Sequence, residues 1–403
     1  MSMESRNAVT PGHDPEAAGR GRATVVQLGS GANDTSVFLD ALRALAAQMV
    51  CIGHPLNFFD IGKGFRPPVA PYLQNVGVTL FFVLSGFLIA HVLVRGVGRP
   101  GYNMAHFTID RVARIYSAYL PALVLIAALD GSLILLGNYA FPQYYTWKGF
   151  IGTLVMLQNW QGAFKHVLAV ASFGSAGQLW TLGVEFHIYL FVGGVFFALA
   201  GRGWPVAAAV AVIVAPMPLA YYTGQAPGTP GDGLFGLWLL GFGSYFVVRA
   251  GAGRRLPAAA LYTAAVLLSL FWWVLLPPGH EFLLYGYPVL AAAFLAWVLA
   301  TQRTQAVVCR TRLARVIRLL ADYSFSLYLV HYSLIHLCST LWHGDPLLGT
   351  WLSVAASNAI ALALAYPTEF RHRQLAGWMR AKLGLEPRDP PGCCQASGMT
   401  GVR

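Results

Sequence analysis

Apolar residues fill long stretches of this chain with no regular alternation between apolar and polar positions. Ten such stretches stand out, at 38–58, 76–94, 115–137, 180–199, 206–223, 233–249, 258–276, 283–301, 319–341 and 347–367. A helix needs about 20 apolar residues to cross a hydrocarbon core, and each stretch approaches or exceeds that length. A transmembrane barrel would instead show segments of about ten residues with alternating polarity. The expected fold is therefore all-α: a polytopic membrane protein of about ten transmembrane helices. The run LLYGYPVLAAAFLAWVLAT at 283–301 is the cleanest. The piece WKGFIGTLVMLQNW at 147–160 is too short to cross and predicts an interfacial or re-entrant helix. No internal repeat is visible. Residues 1–37 are polar and lack the apolar core of a signal peptide, so they are expected to form a disordered cytoplasmic tail. Residues 38–367 form the membrane domain. The remainder, 368–403, is a basic cytoplasmic tail that ends in a Pro/Gly/Cys segment expected to be disordered.

Composition agrees. Of 403 residues, 56% are hydrophobic and only 11% charged, against roughly 25% charged in soluble domains. A water-soluble globule of this make-up would expose large apolar patches, and a chain this apolar is not intrinsically disordered. The net charge of +11 looks at first like a partner signal. Basic residues near span ends mark the cytoplasmic side, however, and ten spans put 23 of the 27 Lys and Arg on the side of both termini. Only Lys63, Arg66, Lys148 and Lys165 remain opposite. Both termini are thus expected inside, and no basic soluble domain is left to bind nucleic acid. The five cysteines fit a reducing, intracellular context, with Cys51 and Cys338 in spans and Cys309, Cys393 and Cys394 on the inner side.

A charge at bilayer depth costs at least about 2.5 kcal/mol on insertion scales, so ionisable residues inside spans are functional candidates. Arg43 and His54 share the first span. Eleven residues return a helix to within about 20° of the same face, some 16 Å further along. Glu185 lies five residues into the span that starts at Trp180, and His331 lies deep in the ninth. His54, Glu185 and His331 reach similar depths in the outer half. There they suit general-base chemistry, or a satisfied hydrogen-bond network between helices. His187, His336 and Asp130 lie nearer the outer surface and read as structural. Arg111 and Arg114 share one face at the inner boundary. They could be interface anchors or a bidentate phosphate site, and spacing alone leaves both open.

The motifs resemble the acyltransferase 3 family of integral-membrane O-acyltransferases from about Phe38 to Tyr366. Arg43, ten residues and then His54 match its first motif, and GVTLFFVLSGFLIA at 77–90 is similar to its second helix, with Thr79 where Asp is frequent. Arg111 and Arg114 match its R-x-x-R element, with Ser117 at a usual Pro position. WTLGVEFHIYL from Trp180 resembles W-S-L-S-V-E-E-Q-F-Y-L, with Glu185 kept and Phe186 in place of the second Glu. YSFSLYLVH, ending at His331, resembles the late S-Y-S-L-Y-L-x-H segment. Five motifs in order carry the resemblance. The missing second Glu argues against a paired-carboxylate mechanism.

The resemblance implies an acyl-CoA donor on the cytoplasmic side, acetyl-CoA being the family's commonest, and a hydroxyl acceptor on a glycan or glycolipid. The alternative acceptor is a macrolide or other secondary metabolite; a transporter is the rival from another class. On this reading Arg111 and Arg114 hold the coenzyme phosphates and Arg43 lines the channel. His54 deprotonates the acceptor, Glu185 orients the imidazole or the sugar, and His331 completes the group. Direct attack and a transient acyl-His54 are both open. No metal is expected, and a bacterial inner membrane is the expected location.

Overall fold

A computed structural model describes residues 33–61, 64, 69–223, 231–252, 255–282, 284–304, 308 and 311–385. The tail residues 1–32 and 386–403, Lys63, Arg66, Cys309, Cys393 and Cys394 lie outside the described residues.

Among the described residues the regular structure is helical. In chain order the helices are α1 (Asp34–Phe58), α2 (Leu73–Val97), α3 (Met104–Leu135), α4 (Trp147–Leu154), α5 (Lys165–Leu168), α6 (Trp180–Leu199), α7 (Trp204–Val214) and α8 (Pro216–Thr223). They continue as α9 (Leu234–Arg249), α10 (Ala258–Leu275), α11 (Tyr287–Thr301), α12 (Arg312–Asp322), α13 (Ser324–Leu341), α14 (Pro346–Ala365) and α15 (His372–Lys382).

All ten apolar stretches are helical. Among the described residues seven helices are long and apolar enough to cross a membrane, eight if α7 and α8 count as one span bent by 53°. The bend falls at Pro216, whose ring removes a helical donor. Helix α9, at 16 residues, is apolar but shorter. The stretch at 319–341 is not one helix: α12 ends at Asp322 and α13 begins at Ser324, either side of Tyr323. At 147–160 only the eight residues of α4 are helical, followed by loop.

Polar side chains set several helix starts. Asn33, Asn103, Thr146, Thr311 and Asp345 each accept a backbone N–H of the first turn. Helix α2 lacks such a cap, and Glu281 supplies the need from the α10–α11 loop. Its buried carboxylate accepts the Tyr72 backbone N–H at 2.7 Å and the Asn75 side-chain amide at 2.9 Å. The C-terminal α15 folds back onto α3 through an Arg380–Asp110 ion pair of 3.0 Å. Tyr102, in the loop between α2 and α3, donates to the same Asp110. Burial first, and then the Asp110 carboxylate, push its pKa upward, so its hydroxyl stays the donor.

Helix α2 is the centre of the bundle, with 83% of its most apolar window buried in protein, whereas α10 has 17% and lies at the rim. Lipid tails are as apolar as leucine, so helices in a membrane associate by close packing, often through small residues. Here α2 meets α9 in that way: a Cβ on Gly86 would stand 2.0 Å from the Trp238 carbonyl, and one on Gly241 2.0 Å from that of Val83. Two apolar cores result. One surrounds α2, α9 and α11; the other joins α1, α3, α13 and α14. Phe81 and Tyr189 pack against both, which marks a seam.

Candidate active site

A cavity of about 180 Å³ opens at that seam. Arg43 of α1, Ser85 of α2, Arg111 and Arg114 of α3, Glu185 and Tyr189 of α6, and Tyr328 of α13 line it. The three arginines that the sequence singled out therefore face one space, together with Glu185.

Their charges are balanced unequally. Arg43 pairs with Asp40, one helical turn away, at 3.0 Å. Arg114 pairs at 2.9 Å with Glu369, a residue 1% exposed. The second Glu369 oxygen accepts both the backbone N–H and the hydroxyl of Ser326, at 3.0 and 2.8 Å. Glu369 thus fixes a guanidinium and the first turn of α13 together. Arg111 has no ion pair among the described residues. Its guanidinium carbon lies 5.8 Å from the Phe107 ring centre, and its buried Nε has no hydrogen-bond partner. An arginine with no carboxylate in ion-pair contact, facing a cavity, is suited to bind an incoming anion.

Glu185 accepts the Tyr189 hydroxyl, one turn along α6. That hydroxyl also lies 2.9 Å from Ser85 Oγ, which accepts the Trp238 indole N–H at 3.1 Å. Glu185 is hydrogen-bonded to neither candidate imidazole; it faces the arginine cavity, within electrostatic range of Arg111.

The imidazoles form a second group. The rings of His54 and His331 lie 5.2 Å apart, and Tyr332 meets His54 edge-on at 4.9 Å. His331 is fully buried, and its Nδ1 lies 2.8 Å from the Tyr328 carbonyl and 3.1 Å from that of Leu327. Carbonyls only accept, so Nδ1 carries the proton and Nε2 keeps its lone pair. That Nε2 is buried with no partner. The Tyr328 ring lies 5.8 Å from His331 on one side and lines the arginine cavity. On the other side Tyr332 lines a further cavity of about 250 Å³, with Tyr144, Asn159, Ser172 and Trp180 also in its wall. The histidine pair therefore sits between two cavities, flanked by tyrosines one turn apart on α13.

The residues read as structural all make contacts within the bundle. Asp130, fully buried, accepts the Tyr139 hydroxyl and the Ser175 backbone N–H. His187 donates to the Gly183 carbonyl at 2.7 Å. His336 packs its ring on Phe141. Where the resembling family has a second Glu, Phe186 stacks edge-on to Tyr116.

The sequence profile of the acyltransferase 3 family, described as an acyltransferase domain, matches residues 36–369. The chain belongs to the acyltransferase 3 family. It is an enzyme, an acyltransferase moving groups other than aminoacyl groups, and a multi-pass membrane protein. Among relatives of this chain, acyltransferase MdmB of Streptomyces mycarofaciens is 27% identical over 349 residues, 81% of this chain and 86% of its own length. The putative peptidoglycan O-acetyltransferase YrhL of Bacillus subtilis is 31% identical over 161 residues, 38% of this chain but only 22% of that protein. Nodulation protein 10 of Rhizobium leguminosarum bv. viciae is 28% identical over 188 residues, 44% of this chain and 48% of its own. Apart from MdmB, the chain thus spans half or less of these relatives. No solved structure matches the chain.

Proposed function

We propose that this acyltransferase moves an acyl group from acyl-CoA to a hydroxyl of a glycan or glycolipid, with acetyl as the group moved. The observation that carries the reading is one cavity holding Arg43, Arg111 and Arg114, separated from His54 and His331 by Tyr328. A coenzyme has phosphates to be held and a thioester to be delivered some distance away, and this cavity offers cations at one place and imidazoles at the next. The names of the O-acetyltransferase relatives favour oxygen as the acceptor atom and acetyl as the group.

In this scheme Arg111 takes a coenzyme phosphate, with Arg114 and Arg43 beside it. The acceptor enters the second cavity and meets His54 past Tyr332. His54 takes the hydroxyl proton as the oxygen attacks the thioester carbonyl. The C–S bond breaks, and the imidazolium returns its proton to the departing coenzyme sulfur. The lone pair on His331 Nε2 can accept an N–H from a protonated partner and so stabilise the charged intermediate. Glu185, held by Tyr189, offsets the arginine charge at the cavity wall. We place the ten apolar stretches across a bacterial inner membrane, that at 319–341 by its α13 part alone, with termini and arginine cavity inside and the second cavity outside. Arg95, Arg99, Arg202 and Arg249 at helix ends support that orientation.

The test uses the full chain in proteoliposomes with radiolabelled acetyl-CoA and a total glycolipid extract as acceptor. General-base catalysis contributes about 100-fold or more, so His54→Ala should lower label transfer by at least that factor at equal protein. Turnover near wild type would overturn the assignment.

A further inference from the structure

Helix α12 carries a surface that the proposed reaction does not use. At about 100° per residue, its side chains fall into three sectors. Ala314 and Ala321, both 0% exposed, form a narrow back against the protein. Leu313 and Val316 lie on one flank, 61% and 54% exposed. Arg315, Arg318 and Asp322 lie on the opposite flank, and the exposed Arg312 and the 48% exposed Leu319 project between the two. Arg318 is within electrostatic range of Asp40 on α1, which leaves Arg312 and Arg315 as the outward cations.

An apolar flank set against an arginine flank is the arrangement of a helix lying in the plane of a membrane surface. Its small-residue back docks it on the bundle at the end where α1 begins. The tie there is the Val308 backbone N–H, which donates to Asp34 at 2.9 Å. We propose that α12 lies in the headgroup layer and that Arg312 and Arg315 bind the headgroups of anionic phospholipids. Charge complementarity selects an anionic occupant. The adjoining Leu313 and Val316 select one that brings hydrocarbon with it, since an acidic peptide would leave them in water.

The contact has a route to the candidate site. Helix α12 runs into α13 through Tyr323, whose hydroxyl donates to Asn358 of α14 at 2.8 Å. Helix α13 carries Tyr328, His331 and Tyr332. Anionic lipid therefore steadies the base of the helix that holds one of the two imidazoles.

The test compares purified full-length protein in nanodiscs of phosphatidylcholine with and without phosphatidylglycerol. Anionic lipid should raise the thermal midpoint of the wild type by several degrees and be retained on it in native mass spectra. Both effects should vanish in R312Q/R315Q, persist in R312K/R315K, and persist in R371Q/R373Q, which removes two exposed arginines elsewhere. No lipid effect in the wild type, an undiminished effect in R312Q/R315Q, or equal loss in R371Q/R373Q would overturn the proposal. A severalfold lipid-dependent gain in acetyl transfer is also expected. That last readout rests on the proposed function; the thermal and mass readouts do not, so failure of one reading is distinguishable from failure of the other.

Discussion

At the scale of single residues, the three arginines of the cavity should behave differently because their counter-ions differ. Arg43 and Arg114 are already paired with Asp40 and Glu369, whereas Arg111 has no ion pair among the described residues. A hydrogen bond to a charged group contributes about 1.5–3 kcal/mol, and about 1.4 kcal/mol is tenfold in affinity. Arg111→Ala should therefore raise the KM for acetyl-CoA by about tenfold or more with a smaller change in kcat. Arg111→Lys should recover only part of this, because an ammonium lacks the planar two-donor fork. Steady-state kinetics in proteoliposomes with varied acetyl-CoA checks both. Glu369 acts through Arg114 and Ser326 and is a positioning residue. Glu369→Gln keeps its shape and weakens both contacts, so the expected outcome is a raised acetyl-CoA KM together with a lower thermal midpoint. A drop in the midpoint with unchanged KM would assign Glu369 to structure alone. Sequence reasoning reached Arg43, Arg111, Arg114, His54 and His331 because each is an ionisable residue inside or at the edge of an apolar run. It could have reached Tyr189 and Tyr328 too, which lie four residues after Glu185 and three before His331, on the same helix faces. Glu369 carries no such local signal: it meets Arg114 across 255 residues of chain.

At the scale of helices, the apolar pattern located every long helix but not the breaks within them. The stretch at 319–341 reads as one run because Leu319 and Leu320 are as apolar as the residues of α13. The arginines at 312, 315 and 318 are the sign that the helix before Tyr323 has a different environment. Periodicity is also blind to packing between helices, where the same residue type serves opposite purposes. Gly86 and Gly243 both lie inside helices, α2 and α9. An added Cβ on Gly86 meets the Trp238 carbonyl at 2.0 Å, whereas one on Gly243 meets nothing within 4 Å. Glycine is about 1 kcal/mol poorer than alanine in a helix. Gly243→Ala should therefore raise the thermal midpoint slightly, while Gly86→Ala should lower it by forcing α2 and α9 apart. Thermal unfolding of the two variants in one detergent checks the pair, and equal shifts would mean that the α2–α9 contact is not a tight one.

At the scale of the whole molecule, the proposed function requires access from two sides with the histidine pair between. The arginine cavity and the cavity bordered by Tyr332 share no lining residue. Along α13 the Tyr328 of the first wall lies one helical turn from the Tyr332 of the second, with His331 between them in sequence, and along α6 the adjoining Trp180 and Thr181 line one cavity each. The wall of the second cavity comes from the loops between α3 and α6, where Asn159 holds a left-handed backbone with φ 55°, a strained conformation of the kind that gathers at binding sites. Donor and acceptor would then never compete for one entrance, and water from either side would have to pass an aromatic ring to reach the thioester. Ser172 lies in the second wall and is half-buried beside the exposed Ala171, which makes the geometry testable. With the native cysteines replaced, Ser172→Cys should react with a membrane-impermeant maleimide added outside sealed, right-side-out vesicles. The attached group should block transfer to the glycolipid acceptor while leaving the KM for acetyl-CoA unchanged. Cysteine placed at Arg371, beside Arg114's partner Glu369, should react only after the vesicles are opened. Labelling of both positions from the same side would place both cavities on one face and make the partition an internal feature of a single entrance.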